Sequence, residues 1–133
     1  MFTEPTLRAL VVDDSAVIRE LIAVNLELEG FDVTTAGDGE SALALAAKVH
    51  PDVITLDVMM PQMNGFETVV RLREDERTQS IPVVMVTGRA QAADVERGEA
   101  VGVEAYLTKP FEPAALVEIV TRLAREGRAR SAQ

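Results

Sequence analysis

The chain has 133 residues, enough for one hydrophobic core and too few for two ordinary domains. Its 47% hydrophobic and 26% charged residues fit a globular protein, and a net charge of −9 argues against non-specific binding to DNA or a membrane surface. The absence of cysteine excludes disulfides, thiolate metal sites and thiol catalysis.

Leu7 to Val12 is an apolar run that reads as the first strand. Ser15 to Glu29 has helical spacing, with Ile18, Leu21, Ile22 and Leu26 on one face and Gly30 as its stop. Phe31 to Thr35 alternates as a strand with one side exposed. Gly37-Asp38-Gly39 is turn chemistry ahead of an alanine- and leucine-rich helix over Glu40 to Val49. Asp52 to Leu56 is the third strand, and the loop after it carries Pro61 and Asn64-Gly65. Phe66 to Arg73 follows as a helix with Phe66, Val69, Val70 and Leu72 as its apolar side. Ile81 to Val86, nearly all β-branched, reads as a strand buried on both faces. Gln91 to Val101 is a short polar helix, Val103 to Thr108 a fifth strand, and Pro113 opens the last helix, with Leu116, Ile119, Val120 and Leu123 inward. Strands alternating with helices predict an α/β fold, a parallel sheet with helices on both faces. Arg122, Arg125, Arg128 and Arg130 crowd the end of that helix, which reads as a frayed, dipole-favoured terminus and only weakly as a docking patch. No uninterrupted apolar segment spans a bilayer and residues 1–8 lack a signal-peptide pattern, so the cytoplasm is the expected location.

The strand ends carry the chemistry. Asp13-Asp14 follows Leu10-Val11-Val12, Asp57 follows Val53 to Leu56, Thr87 follows Val83 to Val86, and Lys109 follows Tyr106-Leu107-Thr108. Open α/β sheets bind ligands at the carboxyl ends of their strands. Three carboxylates, a hydroxyl and an ammonium gathered there suit a divalent cation and a phosphoryl group. Oxygen ligands select Mg²⁺ or Mn²⁺ over softer metals, and crowding three acids should raise one carboxyl pKa. Singly, each residue has an ordinary reading: Asp14 or Ser15 as a helix N-cap, Asp57 as a loop acid, Thr87 as a turn residue, Lys109 as a surface lysine. Their joint placement on strand ends is what points to function.

In this order and spacing, Asp13-Asp14, the stretch from Asp57 to Gly65 (DVMMPQMNG), Thr87-Gly88 and Lys109-Pro110-Phe111 resemble the receiver domain of two-component response regulators, over Leu7 to about Arg125. The resemblance implies a flavodoxin-like (βα)5 fold with strand order 2-1-3-4-5, and a receiver at 7–125 between an N-terminal extension at 1–6 and a C-terminal tail at 126–133. It implies that Asp14 and Asp57 bind Mg²⁺ directly, Asp13 through water, and the Met59 carbonyl completes the set. Asp57 would then take a phosphoryl group from a phosphohistidine of a sensor histidine kinase or phosphotransferase. Lys109, Thr87 and Gly88 would receive the phosphoryl oxygens. Lys109-Pro110 matches the family's cis peptide, although most X–Pro bonds are trans.

Three further expectations follow from the resemblance. Tyr106, the only tyrosine, occupies the aromatic switch position and would respond to movement of Thr87, remodelling the face of the last helices and strand for a downstream protein. Met59 and Arg89 sit at the two positions that gate water's access to the acyl phosphate, and their bulk predicts slow self-dephosphorylation. On the first helix, Val17, Leu21, Val24 and Leu28 form a second apolar stripe, which reads as a wide core stripe or as a docking surface; Val17 and Leu21 are expected to dock the helical bundle of a kinase or phosphotransferase.

The chain departs from the winged-helix, DNA-binding branch at Ala105 and Ile119, where that branch pairs an acid with an arginine. A stand-alone regulator, monomeric or weakly dimeric on phosphorylation and without direct DNA or membrane binding, is the leading expectation. A receiver cut from a longer regulator is its rival. A haloacid-dehalogenase-type phosphatase is disfavoured because Met59 stands where that class needs a second acid, and a pseudo-receiver because all five site residues are intact.

Overall fold

A computed structural model describes residues 6–88 and 92–131. Five strands alternate with five helices: β1 (Arg8–Val12), α1 (Ala16–Leu28), β2 (Asp32–Ala36), α2 (Gly39–Val49), β3 (Val53–Leu56), α3 (Gly65–Glu74), β4 (Val83–Thr87), α4 (Ala92–Val101), β5 (Ala105–Thr108) and α5 (Pro113–Ser131). The strands form one parallel sheet in the order β2-β1-β3-β4-β5. This is the flavodoxin-like topology implied by the sequence. The strand order reverses between β1 and β3, and the ends of those two strands carry Asp13 and Asp57.

The helices begin where their capping residues dictate. The Ser15 hydroxyl accepts from the Ile18 N–H, and the Asp38 carboxylate from the Ser41 N–H at 2.8 Å. Asn64 and Glu67 form a reciprocal capping box at the start of α3.

Because successive strand residues face opposite ways, the sheet divides the core in two. Leu10, Val12, Ile54, Leu56, Val83 and Met85 pack against α2 and α3 through Ala42, Ala46, Phe66, Val69 and Leu72. Ala9, Val11, Val53, Val84 and Val86 pack against α1 and α5 through Ile22, Leu26, Leu116, Val120 and Leu123. Burying each of the larger side chains contributes about 1.5–3 kcal/mol, so both helix layers are firmly seated.

Two residues counted on core faces lie outside them. Leu21 is 44% and Val70 42% exposed, because the sheet contacts only a narrow strip of each helix. A larger difference concerns the C-terminus. α5 runs as helix to Ser131, past Glu126 where a tail was expected to begin, and Arg128 near its end is paired. Nε and Nη2 of Arg128 donate to the two Asp52 carboxylate oxygens at 2.9 and 2.7 Å, and Nη2 also donates to the Thr6 carbonyl at 2.9 Å. Gly127 makes this possible: a Cβ there would lie 2.7 Å from the Asp52 carbonyl oxygen.

Candidate functional site

Asp13, Asp14, Asp57 and Lys109 come together at the carboxyl ends of β1, β3 and β5. Strand pairing fixes the first contacts: the Asp57 N–H donates to the Val12 carbonyl and the Asp13 N–H to the Ala36 carbonyl. Both of these aspartates are buried, whereas Asp14 is exposed at the mouth. One carboxylate oxygen of Asp13 accepts from the Ser15 N–H at 2.9 Å. The other accepts from Nζ of Lys109 at 2.8 Å, and the same Nζ lies 3.6 Å from Asp57 Oδ2. The Lys109 N–H donates to the Thr87 carbonyl at 2.7 Å, and the bond from Lys109 to Pro110 is cis.

Gly65 holds the Asp57 loop from behind. A Cβ at Gly65 would lie 2.5 Å from the Asp57 carbonyl oxygen and 2.9 Å from Val58 Cα, so only glycine lets α3 start this close to the acid. The Met59 N–H donates to Asp57 Oδ1 at 3.2 Å, while the Met59 side chain stays exposed.

Oxygens of the three acids lie within 4.8 Å of one another. One ammonium faces three carboxyl groups, so the cluster carries excess negative charge. Burial first, and then the Asp13 carboxylate, push the Asp57 carboxyl up from 3.8 to about 6, against the opposing pull of Lys109 and the Met59 N–H. A carboxyl held this way is relieved by a cation. The donor set is all oxygen, and it fits a hard divalent ion such as Mg²⁺.

A family model described as the response regulator receiver domain matches residues 9–121. The chain belongs to this family. Receiver domains bind Mg²⁺ through an acidic cluster, which here is Asp13, Asp14 and Asp57. They are phosphorylated by histidine kinases and serve signal transduction.

Among curated proteins, this receiver is 44% identical over 118 residues to the DNA-binding dual master transcriptional regulator RpaA of Synechocystis, covering 89% of this chain and 49% of that protein. It is 43% identical over 108 residues to the phosphate regulon transcriptional regulatory protein PhoB of Pseudomonas aeruginosa, covering 81% of this chain and 47% of that one. The chain thus spans about half the length of these curated relatives. Among solved structures, the chemotaxis protein CheY4 of Vibrio cholerae superposes with a TM-score of 0.85 at 39% identity, covering 90% of this chain and 99% of that one.

Of the other expected residues, those described lie on or beside β4, β5, α1 and α5. Thr87 is buried at the end of β4, and Gly88 is exposed beside it, with open space where a side chain would stand. Tyr106 is half-buried on β5, packed on the Phe66 side of the sheet. Val17 (77% exposed) and Leu21 share the outer face of α1 with Val24 and Leu28. Ala105 and Ile119 are both half-buried. Arg89 lies outside the described residues.

Sequence reasoning missed two supports. Nη1 of Arg19 donates to the Asp13 carbonyl at 2.8 Å, bracing the acidic loop from α1. Arg19 is the only basic residue of α1, and that was its one legible signal. Arg73 binds the carbonyls of Gln79, Ile81 and Gly102 and the Glu104 carboxylate, while Glu104 also accepts from the Val83 N–H at 2.6 Å. This clamp ties α3 to the starts of β4 and β5.

Proposed function

We propose that Asp57 is the phosphoacceptor of a signalling relay. The observation that carries this reading is the convergence of Asp57 with Asp13, Asp14 and Lys109 at the point where strand order reverses. A carboxylate oxygen of Asp57 attacks the phosphorus of a phosphohistidine. The new O–P bond forms as the P–N bond breaks, and the departing imidazole takes up a proton. The product is an acyl phosphate, which water later cleaves to the carboxylate and inorganic phosphate. Lys109, already within reach of Asp57, would neutralise oxygens of the arriving group. The Thr87 hydroxyl and the Gly88 N–H, at the neighbouring strand end, would both donate to its oxygens.

Asp13, Asp14 and Asp57, with the Met59 carbonyl, would hold Mg²⁺ or Mn²⁺, which when bound neutralises the crowded acids and the phosphoryl oxygens. Thr87 and Tyr106 form the switch that reports phosphorylation to the α4–β5–α5 face. Val17 and Leu21 would be the contact for the kinase or phosphotransferase helices, since an exposed apolar stripe is otherwise costly to keep in water. We place the protein in the cytoplasm; no helix among the described residues is long and apolar enough to cross a membrane.

We read the receiver as signalling by protein–protein contact, without direct DNA binding of its own, given its charge of −9. The competing reading is the receiver portion of a longer DNA-binding regulator, supported by relatives of about twice its length that carry that description.

The test is intact mass after incubation with Mg²⁺ and acetyl phosphate. The parent should gain a single phosphoryl group and Asp57→Asn none. A parent that stays folded and gains nothing, or a variant that gains as much, overturns the assignment.

A further inference from the structure

Gly98 lies on the buried face of α4, inside a helix that alanine would favour strongly over glycine. Its neighbours give a reason for the glycine. A Cβ built there would stand 3.4 and 3.6 Å from Cε2 and Cδ2 of Tyr106, and 3.7 Å from Cε1 of Phe66. The glycine therefore leaves a slot about one methyl wide between the helix backbone and the edge of the Tyr106 ring. Phe66 forms the other wall. It is 2% exposed at the start of α3, and the guanidinium of Arg97 rests 4.5 Å from its ring centroid. Arg97 precedes Gly98 in the chain, so this cation–π contact anchors α4 to α3 next to the slot.

We propose that Gly98 is a positioning residue for Tyr106: it leaves the ring room to change its seat against α4 while Arg97 on Phe66 keeps the helix in place. The inference rests on reading Tyr106 as the switch residue. It adds that the ring's freedom is set from α4, by one missing methyl group. At the distances above, that methyl is in ordinary contact with the ring in its present seat. Alanine would therefore hold the ring where it stands, removing the space it needs to move.

The chain contains one tyrosine and no tryptophan, so tyrosine emission reports Tyr106 alone. Parent and Gly98→Ala would be incubated with Mg²⁺ and acetyl phosphate. Intact mass would follow loading of Asp57, and tyrosine emission with acrylamide quenching would follow the ring. The parent should load and change its tyrosine signal. Gly98→Ala should load at the parent rate and melt at a higher temperature, and its tyrosine response should fall at least ~2-fold, as a bias toward one ring position requires.

A full-sized tyrosine response in the variant overturns the inference and leaves the switch reading intact. A variant that fails to fold overturns it too, since the methyl is argued to fit. So does one that fails to load, because Gly98 would then act on the acidic site. A parent that loads with no tyrosine response removes the switch reading itself, and the inference with it.

Discussion

Replacing Asp57 by asparagine should stabilise the metal-free protein, by an amount that depends on pH. The Asp57 carboxyl titrates at about 6 in the fold against an ordinary value of 3.8. Well below 3.8 both folded and unfolded chains hold the proton, and Asp57 costs nothing. As pH rises toward 6 the unfolded chain gives up its proton first, binds fewer protons than the fold, and stability falls. Beyond 6 the loss is complete. Two units at ~1.4 kcal/mol each set an upper bound of about 3 kcal/mol. Asparagine keeps an acceptor for the Met59 N–H but loses the attraction of Lys109 at 3.6 Å. A net gain of about 1–3 kcal/mol above the folded pKa is therefore expected. For a chain of 133 residues each kcal/mol is worth roughly 4 °C in Tm, giving a rise of about 4–12 °C. The assay is thermal unfolding of both proteins in a chelator across the acidic to neutral range. The gap should be near zero in acid, open through the titration of Asp57, and narrow again on adding Mg²⁺, which stabilises the parent by mass action. A gap that is absent, or that does not change with pH, would refute the crowding argument.

Four other outcomes are expected. Thr55 is buried on β3 and its hydroxyl has no hydrogen-bond partner, so Thr55→Val should raise stability by about 1 kcal/mol; a lower urea midpoint would contradict this. Arg128→Ala leaves the buried Asp52 carboxylate with only the Arg8 N–H, and should cost about 1–3 kcal/mol in urea unfolding while acetyl phosphate labelling is unchanged. An unaltered midpoint would mean that the end of α5 is not fastened in solution. Polar substitutions at Val17 and Leu21 should slow phosphotransfer from the cognate kinase by ~10-fold with no effect on acetyl phosphate labelling. Equal kinase rates would remove α1 as the docking face. The Met59 side chain, exposed beside the site, should shield the acyl phosphate from water, and a lifetime of only seconds in Mg²⁺ would contradict that.

The acidic cluster was legible in the sequence because Asp13-Asp14 and Asp57 each end an apolar run of strand character, and their joint placement pointed to a site. Parallel strands in this topology all end on the same side, so Asp13, Asp57, Thr87 and Lys109 had to meet. Charge crowding pointed to one raised carboxyl, but burial, the larger cause at Asp57, was decided by the fold. The start of α1 was legible in Ser15, whereas Asp38 and Asn64, read as turn and loop residues, cap α2 and α3 through residues only three positions away.

What periodicity misjudged was the width of the faces. Leu21 and Val70 have core spacing, but they lie 44% and 42% exposed, because how wide a strip a helix buries depends on the elements packed against it. Composition misjudged the end of α5. Its arginines look like a solvated terminus until folding brings Arg128 onto Asp52, 76 residues away in sequence. Gly98 drew no reading from the sequence, and only the approach of Tyr106 and Phe66 gives it a reason. Local chemistry and the alternation of strands with helices are properties of short stretches, so the sequence by itself determined the α/β class and the acids at strand ends, while the strand order entered through the family resemblance. Close approach between distant segments depends on how the layers pack, so only the tertiary structure decided the Arg19 brace, the Arg73 clamp, the Arg128 anchor and the slot beside Tyr106.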